Sequence, residues 1–316
     1  MKRYAVFAHY DSKGIVHEYV FFYLKELRKV SDTIIFVSDG TIRFQDKKRL
    51  TQYADVVLDE KHGEYDWGSY KRGYFFLKDR LTQKDEIVFC NDSVFGPLVP
   101  FKPIFKKMEK QETDVWGMNT ASEAFLMSFF LVIRSSVFQK DYLHRFMKNI
   151  VREKTKECVV EKYEKGFSKL LEQNNHRMSA YFTPSEIVNR KFQDIPFFSF
   201  FKYFVKNNDF EVYDDSVIYL IKNGFPFIKK LSFKNKKNYL NVWYPYLTNK
   251  YNIGYIEDYF SFKRLNSNLK LLFKLITITI LKISPTKYFF FSKKTAKSGK
   301  TIVKVCKIPI FIRKEK

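Results

Sequence analysis

A lone carboxylate stands between an amide and a hydroxyl in the stretch Asp85 to Leu98, DEIVFCNDSVFGPL. Asn91, Asp92 and Ser93 directly follow the apolar run Ile87, Val88 and Phe89, and Gly96-Pro97 stops the chain from continuing as strand or helix. An unbroken apolar run of this kind belongs inside a sheet covered on both faces. In open α/β sheets the ligand crevice lies outside the carboxyl ends of the strands, so an aspartate placed there can hold a metal ion and a phosphate. Asn-Asp-Ser ahead of Gly-Pro is equally a common turn composition, and these three residues alone do not choose between the two readings.

A second stretch, Glu60 to Arg80, offers an anion site. Trp67, Tyr70, Tyr74, Leu77 and Leu81 recur at alternating steps of three and four, which predicts an amphipathic helix starting near Asp66 with that residue as its N-cap. Gly68 and Ser69 then fall in the first turn. Free N–H groups and the positive end of the helix dipole make such a turn receptive to a diphosphate, with Lys71 and Arg72 adding charge. The competing reading is a basic surface helix whose aromatic residues face the core.

The elements that must position these groups come before and after them. Arg3 to Ala8 reads as a strand, Ile15 to Val30 has helical apolar spacing, Thr33 to Val37 is a second strand ending at the turn Ser38-Asp39-Gly40, and Asp55 to Leu58 is a third. The order predicts a doubly wound, mainly parallel α/β sheet. Loops at its strand ends carry His9, Asp11, Asp39, Asp59 and Glu60, each unremarkable singly and of interest because they share one end of the sheet. Asp114 to Gly117 reads as another strand end, where Trp116 and Gly117 either border a ligand or, the first expectation for Trp116, pack in the core. Phe125 to Val137 reads as a strand over the active face that runs into a helix, with Ser128 a satisfied core hydroxyl. Asp141 to Glu153 and Glu157 to Gln173 read as helices, and a small helix closes at Gly224 before Pro226 to Lys229.

Composition bounds the possibilities. A chain of 316 residues, 45% apolar and 19% aromatic, can bury one large core or two smaller ones, which excludes a disordered protein. A formal charge of +23 asks for nucleic acid, anionic lipid or phosphorylated small molecules as partners. From Ser261 to Lys316 there are 15 Lys and Arg against the single acid Glu315, a net +14, leaving +9 for the rest. Cys90, Cys158 and Cys306 are an odd number without metal-ligand spacing, which indicates neither a disulfide framework nor a zinc site and fits a reducing cytosol. The first residues lack a signal-peptide pattern, and no stretch has the length and apolarity of a membrane span. Leu265 to Ile283 has a helix-like apolar pattern broken by Lys270, Lys274 and Lys282, suited to a membrane interface, and Lys300 to Lys316 alternates apolar residues and lysines as a hairpin or strand does. Packing against the body is the alternative for both. Zinc-finger spacing, an aromatic-rich RNA-binding signature and a regular basic helix are all missing from the first 230 residues, so nucleic acid is not expected.

Several motifs carry a family resemblance in their order and spacing over roughly Lys2 to Lys230. They are Gly63-Glu-Tyr-Asp66-Trp67-Gly68-Ser-Tyr70-Lys71-Arg-Gly73, Asn91-Asp92-Ser93-Val-Phe95-Gly96-Pro97-Leu98, Asp114-Val-Trp116-Gly117 and Tyr163-Glu164-Lys-Gly166-Phe167-Ser168. They resemble the rhamnan synthesis F family. The resemblance implies a bacterial glycosyltransferase of cell-surface polysaccharide assembly, with a GT-A-like nucleotide-sugar-binding domain over residues 1–230 and rhamnosyl transfer in the founding members. The basic, partly amphipathic region 231–316 would then meet an anionic membrane, peripherally on the cytoplasmic face of the plasma membrane, where a lipid-linked or polysaccharide acceptor lies. Asn-Asp-Ser occupies the place where GT-A enzymes usually carry Asp-x-Asp, so one carboxylate of that pattern is missing. Asp92 is the residue to organise the donor diphosphate, directly or through Mg²⁺ or Mn²⁺. His9, Asp59, Gly68, Ser69, Lys71, Asn91 and Ser93 are the other candidate donor-binding residues. The competing class is a non-enzymatic basic protein that binds anionic membrane or nucleic acid.

Inverting transfer also needs a base on the acceptor side, separate from the group that handles the diphosphate. The 157–173 helix offers Glu157, Glu161 and Glu164. At roughly 100° per residue Glu164 lies about 20° from Leu171 on the buried face and Glu161 about 80° away, so Glu164 is the partly desolvated carboxylate suited to the task. Its alternatives are the capping of a backbone group or a structural pairing with Lys165 or Lys169, and Asp11 is the next candidate base.

Overall fold

The computed structural model describes residues 1–120, 125–182, 221, 224–233, 247 and 250–260, together with the strand backbones 291–295, 301–305 and 308–312. These fall into two compact units, Met1–Arg264 and Leu265–Lys316.

The first unit is built on seven strands in the order β3-β2-β1-β4-β7-β6-β8. They are β1 (Arg3–His9), β2 (Thr33–Asp39), β3 (Val56–Glu60), β4 (Glu86–Asn91), β6 (Val115–Asn119), β7 (Phe130–Arg134) and β8 (Met178–Phe182). All are mutually parallel except β7, which runs antiparallel to both β4 and β6. The sheet is therefore mainly parallel, as the strand order along the sequence predicts. Helices stand in the connections other than that from β6 to β7: α1 (Glu18–Arg28), α2 (Phe44–Leu50), α3 (Tyr65–Leu77), α4 (Phe101–Glu109), α5 (Ser135–Phe138), α6 (Asp141–Lys148), α7 (Lys156–Val159) and α8 (Gly166–Gln173). Where the sequence suggests only a turn between β2 and β3, the chain inserts α2. Its polar face of Gln45, Asp46, Lys47, Lys48 and Arg49 leaves only Leu50 buried, too weak an apolar stripe to be seen by periodicity.

Both faces of the central strands are covered, and their side chains alternate accordingly. On β1, Tyr4, Val6 and Ala8 join Trp67, Tyr70 and Tyr74 of α3 in one core cluster with Ile87 and Phe89 of β4. Phe7 points the other way, edge-on to Tyr23 of α1 at 5.1 Å and stacked on Phe36 of β2 at 5.6 Å. Trp116 is in the core, packed on Phe105 and Phe130. The amino end of the sheet is closed by Arg3, whose guanidinium lies 2.8 Å from Glu86 and donates to the Val30 carbonyl, with Arg134 on the other Glu86 oxygen.

Two sequence expectations are revised in length and winding. The predicted 141–153 helix ends at Lys148, and the predicted 157–173 helix is a run in which Val160–Lys165 winds as a π-helix between α7 and α8. Two further strands form a small sheet of their own, β5 (Val94–Phe95) pairing antiparallel with β9 (Ile228–Lys229). After β9 come a 3-10 turn at Lys230–Phe233 and the short helix α9 (Gly254–Tyr259). In the second unit, β10 (Phe291–Thr295), β11 (Thr301–Val305) and β12 (Ile308–Ile312) form an antiparallel sheet, and the last two make the hairpin anticipated for the basic tail. The interfacial helix anticipated at 265–283 lies outside the described residues. Among the described residues no helix is long and apolar enough to cross a membrane.

Gly73 shows how closely α3 is set on β1. A Cβ there would lie 2.3 Å and 2.5 Å from the two methyls of Val6, which is fully buried and cannot withdraw. Gly73→Ala is expected to cost about 1–3 kcal/mol of stability in urea unfolding, the usual penalty of overpacking. Gly166→Ala, whose Cβ would meet nothing nearer than 3.8 Å in helical backbone, is expected to be neutral or to stabilise by about 0.5–1 kcal/mol.

Candidate active site

The parallel strands β1, β2, β3, β4, β6 and β8 all finish at one edge of the sheet, at His9, Asp39, Glu60, Asn91, Asn119 and Phe182. The polar residues picked out at the ends of the first four therefore share that edge, and His9, Asp39, Asp59 and Glu60 are terminal strand residues rather than loop residues. The alternation of β4 continues past its end and sends successive polar side chains to opposite faces. Asn91 follows Ile87 and Phe89 toward α3, where its Nδ2 donates to the Asp66 carboxylate at 2.8 Å. Asp92 turns toward α1, where the Tyr19 hydroxyl donates to its carbonyl at 3.1 Å and lies 3.3 Å from its Oδ2.

Asp92 is buried, and its backbone N–H donates to Ala8 of β1. The same Oδ2 holds the Lys230 ammonium at 3.3 Å. That lysine arrives from 138 residues along the chain because β5, immediately after the triplet, pairs with β9, and the Lys230 N–H donates to the Ser93 carbonyl at 3.0 Å. The Lys230 ammonium lies 4.9 Å from the centre of the Tyr19 ring and 4.5 Å from that of Tyr259, and it donates to the Tyr259 hydroxyl at 3.4 Å. Gly96 makes this approach possible. Its φ is +147°, and a Cβ would stand 2.5 Å from the Pro226 carbonyl oxygen and 2.7 Å from the Phe227 ring.

On the other face a second charged group forms. Lys229 is buried, 3.3 Å from the Ser93 hydroxyl and 4.2 Å from the centre of the Phe129 ring. Burial pulls its ammonium down to about 8, while Glu164 and Asp66 favour its charge. Asp66 is pushed up to about 6, chiefly by burial and then by Asp92 and Glu164, with Lys156 and Lys229 opposing. Glu164 is half-buried on the π-helical turn and acts electrostatically on Asp66, Tyr70 and Lys229, whereas Glu157 and Glu161 are exposed and Glu161 pairs with Lys165 at 2.9 Å. Of Glu157, Glu161 and Glu164, only Glu164 is turned to the interior. π-helical turns of this kind recur at functional sites.

His9 closes the cluster on the β1 side. Its Nδ1 is 3.0 Å from the Ser38 hydroxyl, and burial holds its imidazole below the usual range against the pull of Asp92. Asp11 accepts from the Lys13 and Ile15 amides and sits 3.5 Å from His17, whose imidazole is also lowered by burial. The structure thus gathers His9, Asn91, Asp92 and Ser93.

The other candidates hold different partners. Asp59 carries Lys47 at 2.6 Å, and Lys71 donates to the Ile150 carbonyl at 2.7 Å. The helix α3 begins one residue before the expected cap, with Glu64 in the capping position, so Asp66 lies inside the first turn. A Cβ on Gly68 would strike the Glu64 and His62 side chains, and its N–H already donates to Glu64. The Glu64 N–H donates to His62 Nδ1 at 3.1 Å, so the His62 Nε2–H donates to Ser69 Oγ at 3.0 Å. This first turn is filled by the chain's own groups.

A divalent ion is a poor fit to the triplet. Such an ion wants about six oxygen ligands, and Mg²⁺ wants them near 2.1 Å. Asp92 Oδ2 is shared by Lys230 and Tyr19, Asn91 Oδ1 accepts from the Ser93 N–H and hydroxyl, and the Ser93 hydroxyl also faces Lys229. Among the described residues no three His, Cys, Asp or Glu side chains are grouped to hold a metal.

Sequence reasoning misses Lys229, Lys230, Tyr19, Tyr259 and the interior role of Asp66. One signal was present: Phe225 to Ile228 is an apolar run followed at once by two lysines, the same apolar-then-polar change that marks Asn91 and Asp92.

Comparison with known proteins adds sequence relatives. The family model described as rhamnan synthesis protein F matches residues 34–283. The virulence protein VirA of Vibrio anguillarum is 23% identical over 240 residues, covering 71% of this chain and 74% of that protein. An uncharacterized protein of Sinorhizobium fredii, y4gN, is 22% identical over 190 residues, covering 58% of this chain; the chain spans about half the length of that relative, 49%. Among solved structures, TarS of S. aureus superposes with a TM-score of 0.35 at 13% identity, covering 98% of this chain and 60% of that one. A 4-diphosphocytidyl-2C-methyl-D-erythritol synthase gives 0.35 at 13%, covering 57% and 87%. The fold described above rests on the sheet itself and not on these likenesses.

The raised Asp66 carboxyl has a measurable consequence. Between pH of about 4 and 6 the folded chain keeps a proton that the unfolded chain has lost, so this group makes stability fall as pH rises through that window. Asp66→Asn removes the contribution and can still accept from Asn91. Its stability relative to wild type is expected to improve from pH 4 to pH 7, by up to about 3 kcal/mol for a shift of two units, in urea titrations run at each pH. A difference independent of pH would show that Asp66 titrates normally.

Proposed function

The chain belongs to the rhamnan synthesis protein F family, and from that premise we propose that it is a glycosyltransferase of cell-surface glycan assembly. It takes a sugar, rhamnose or a similar one, from a nucleotide-diphosphate donor and passes it to a lipid-linked or polysaccharide acceptor at the cytoplasmic face of an anionic membrane. The observation that carries this reading is the buried Asp92, paired with Lys230 at the carboxyl edge of a mainly parallel sheet, the edge where open α/β folds bind nucleotides. A GT-A-like arrangement is the form we assign to the nucleotide-binding unit.

In this reading each group has a task. Asp92 orients the cationic groups that face the donor diphosphate. Asn91, Ser93 and His9 shape the wall beside it, and the Tyr19 phenol, held well above its usual range by burial and by Asp92, stays protonated and remains a hydrogen-bond donor. Glu164 takes the proton of the acceptor hydroxyl as its oxygen bonds to the anomeric carbon, while the bond from that carbon to the phosphate oxygen breaks and leaves its electron pair on the diphosphate. One displacement by this route inverts the anomeric centre. The basic segment after Ser261, with its net +14, adds attraction to anionic lipid of roughly 1 kcal/mol per residue near the surface.

A panel of nucleotide sugars, incubated with extracted lipid-linked acceptors and followed by product analysis, tests the activity directly. Asp92→Asn is expected to fold and to lose about two orders of magnitude in turnover. Glu164→Gln is expected to lose transfer while binding donor as wild type does, with Glu157→Gln and Glu161→Gln near wild-type activity. Equal losses in all three glutamate variants would move the base elsewhere, Asp11 being the next carboxylate to test.

A further inference from the structure

We propose that the cation of this site is built into the chain: the Lys230 ammonium, rather than a divalent metal ion, takes up the charge of the donor diphosphate. The inference rests on the glycosyltransferase reading and deepens it. Three observations point the same way. First, the triplet offers too few oxygens for an ion that needs about six: Asp92 Oδ2 is engaged by Lys230 and Tyr19, Asn91 Oδ1 by Ser93 and the Ser93 hydroxyl by Asn91 and Lys229, which leaves Asp92 Oδ1. A divalent ion on Asp92 would stand beside the Lys230 ammonium and be repelled by it, with the Lys229 ammonium beyond the Ser93 hydroxyl adding to the repulsion.

Second, Lys230 is positioned as a fixed ion rather than as a loose surface charge. Its backbone is tied to Ser93 and its ammonium lies against both the Tyr19 and the Tyr259 ring. The side chain is 16% exposed, so the ammonium is held in place while still reachable from outside. A group held in this way needs little further ordering when charge develops beside it. An ammonium has three N–H donors. Among the described residues, Lys230 directs two of them, to Asp92 and the Tyr259 hydroxyl, which leaves a third for a ligand oxygen.

Third, the device is spelled out in two distant pieces of sequence. The triplet supplies one carboxylate in place of two, and the last residue of β9 with the one after it brings two ammoniums against it. The single carboxylate anchors Lys230 instead of anchoring a metal. When the bond between the anomeric carbon and the phosphate oxygen breaks, the nucleoside diphosphate gains one negative charge, and the acceptor's proton goes to Glu164. Lys230 is the group placed to meet that new charge, with Lys229 behind it.

Nucleoside-diphosphate binding to the full chain, measured by titration calorimetry with a panel of UDP, GDP, CDP and dTDP, tests the proposal. Each titration is run once in EDTA and once in excess Mg²⁺ or Mn²⁺. Wild type is expected to bind one of the four in EDTA, with an affinity that added metal changes by less than about threefold. Lys230→Arg, which keeps the charge, is expected to bind in EDTA as well. Lys230→Met should lose at least about 30-fold, in the range found for truncating one partner of a buried charge pair. Because that variant strands a buried carboxylate, the paired variant Asp92→Asn/Lys230→Met removes both charges; it is expected to fold and still not bind. Wild-type binding that vanishes in EDTA and returns with Mg²⁺ or Mn²⁺ would overturn the built-in cation while leaving the glycosyltransferase reading intact, and so would wild-type affinity in Lys230→Met. No binding of any nucleoside diphosphate by wild type, with or without metal, would overturn both.

Discussion

Strand β4 is covered on both faces along its whole length, and that constraint organises the molecule. With α3 on one side and α1 on the other, every side chain from Glu86 to Asn91 is buried. A polar side chain can stand there only if it is satisfied, which confines such residues to the strand ends. At the amino end, Glu86 is closed off by Arg3 and Arg134. At the carboxyl end the same requirement is met by the polar groups of the candidate site. Asn91 is satisfied by Asp66 from one face and Asp92 by Tyr19 and Lys230 from the other.

The short pairing of β5 with β9 matters beyond its size. Two residues on each side are hydrogen-bonded, yet they bring a segment from more than a hundred residues away against the triplet. Aromatic packing supports it: Phe227 meets Tyr23, Phe101, Phe129 and Phe130, and Phe95 meets Tyr19, Phe233 and Tyr259. Four of these seven contacts are edge-to-face, an arrangement that adds about 0.5–1.5 kcal/mol each beyond burial. The rings also keep water from the buried Lys229 and from much of Lys230, which strengthens the charge interactions at the site. The cost is visible in the titration of the buried groups: Lys229 is pulled down to about 8 and Asp66 is pushed up to about 6. A site that holds charges against burial in this way is poised to gain when a ligand of opposite sign arrives.

Much of this was legible in the residues alone, because the relevant signals are local. Apolar runs with a period of two or of three and four predicted β1, α1, β2, β3, α3 and β4 nearly where they stand, and a parallel sheet followed from their order. The polar triplet after β4 was found the same way, since a change from apolar to polar at a strand end is written in consecutive residues. Glu164 was separable from Glu157 and Glu161 because helical periodicity survives the π-helical turn well enough to keep one carboxylate on the inner side. The helix α2, with a single buried residue, lay below the reach of periodicity, and the cap of α3 was displaced because Asp66 is turned inward to Asn91.

What the sequence determined by itself was therefore the class of fold, the edge of the sheet that carries polar side chains, and the family motifs. Only the tertiary structure decided which of those side chains meet. Gly68, Ser69 and Lys71 look like an anion site in one dimension, yet His62, Glu64 and Ile150 take up their space and hydrogen bonds in three. Lys229 and Lys230 look like surface charge, yet they are the partners of Ser93 and Asp92. The physical reason is one of range. Propensity, periodicity and capping act over a few residues, whereas satisfying a buried carboxylate depends on whatever element the folded chain brings within about 3 Å, and no local pattern records that.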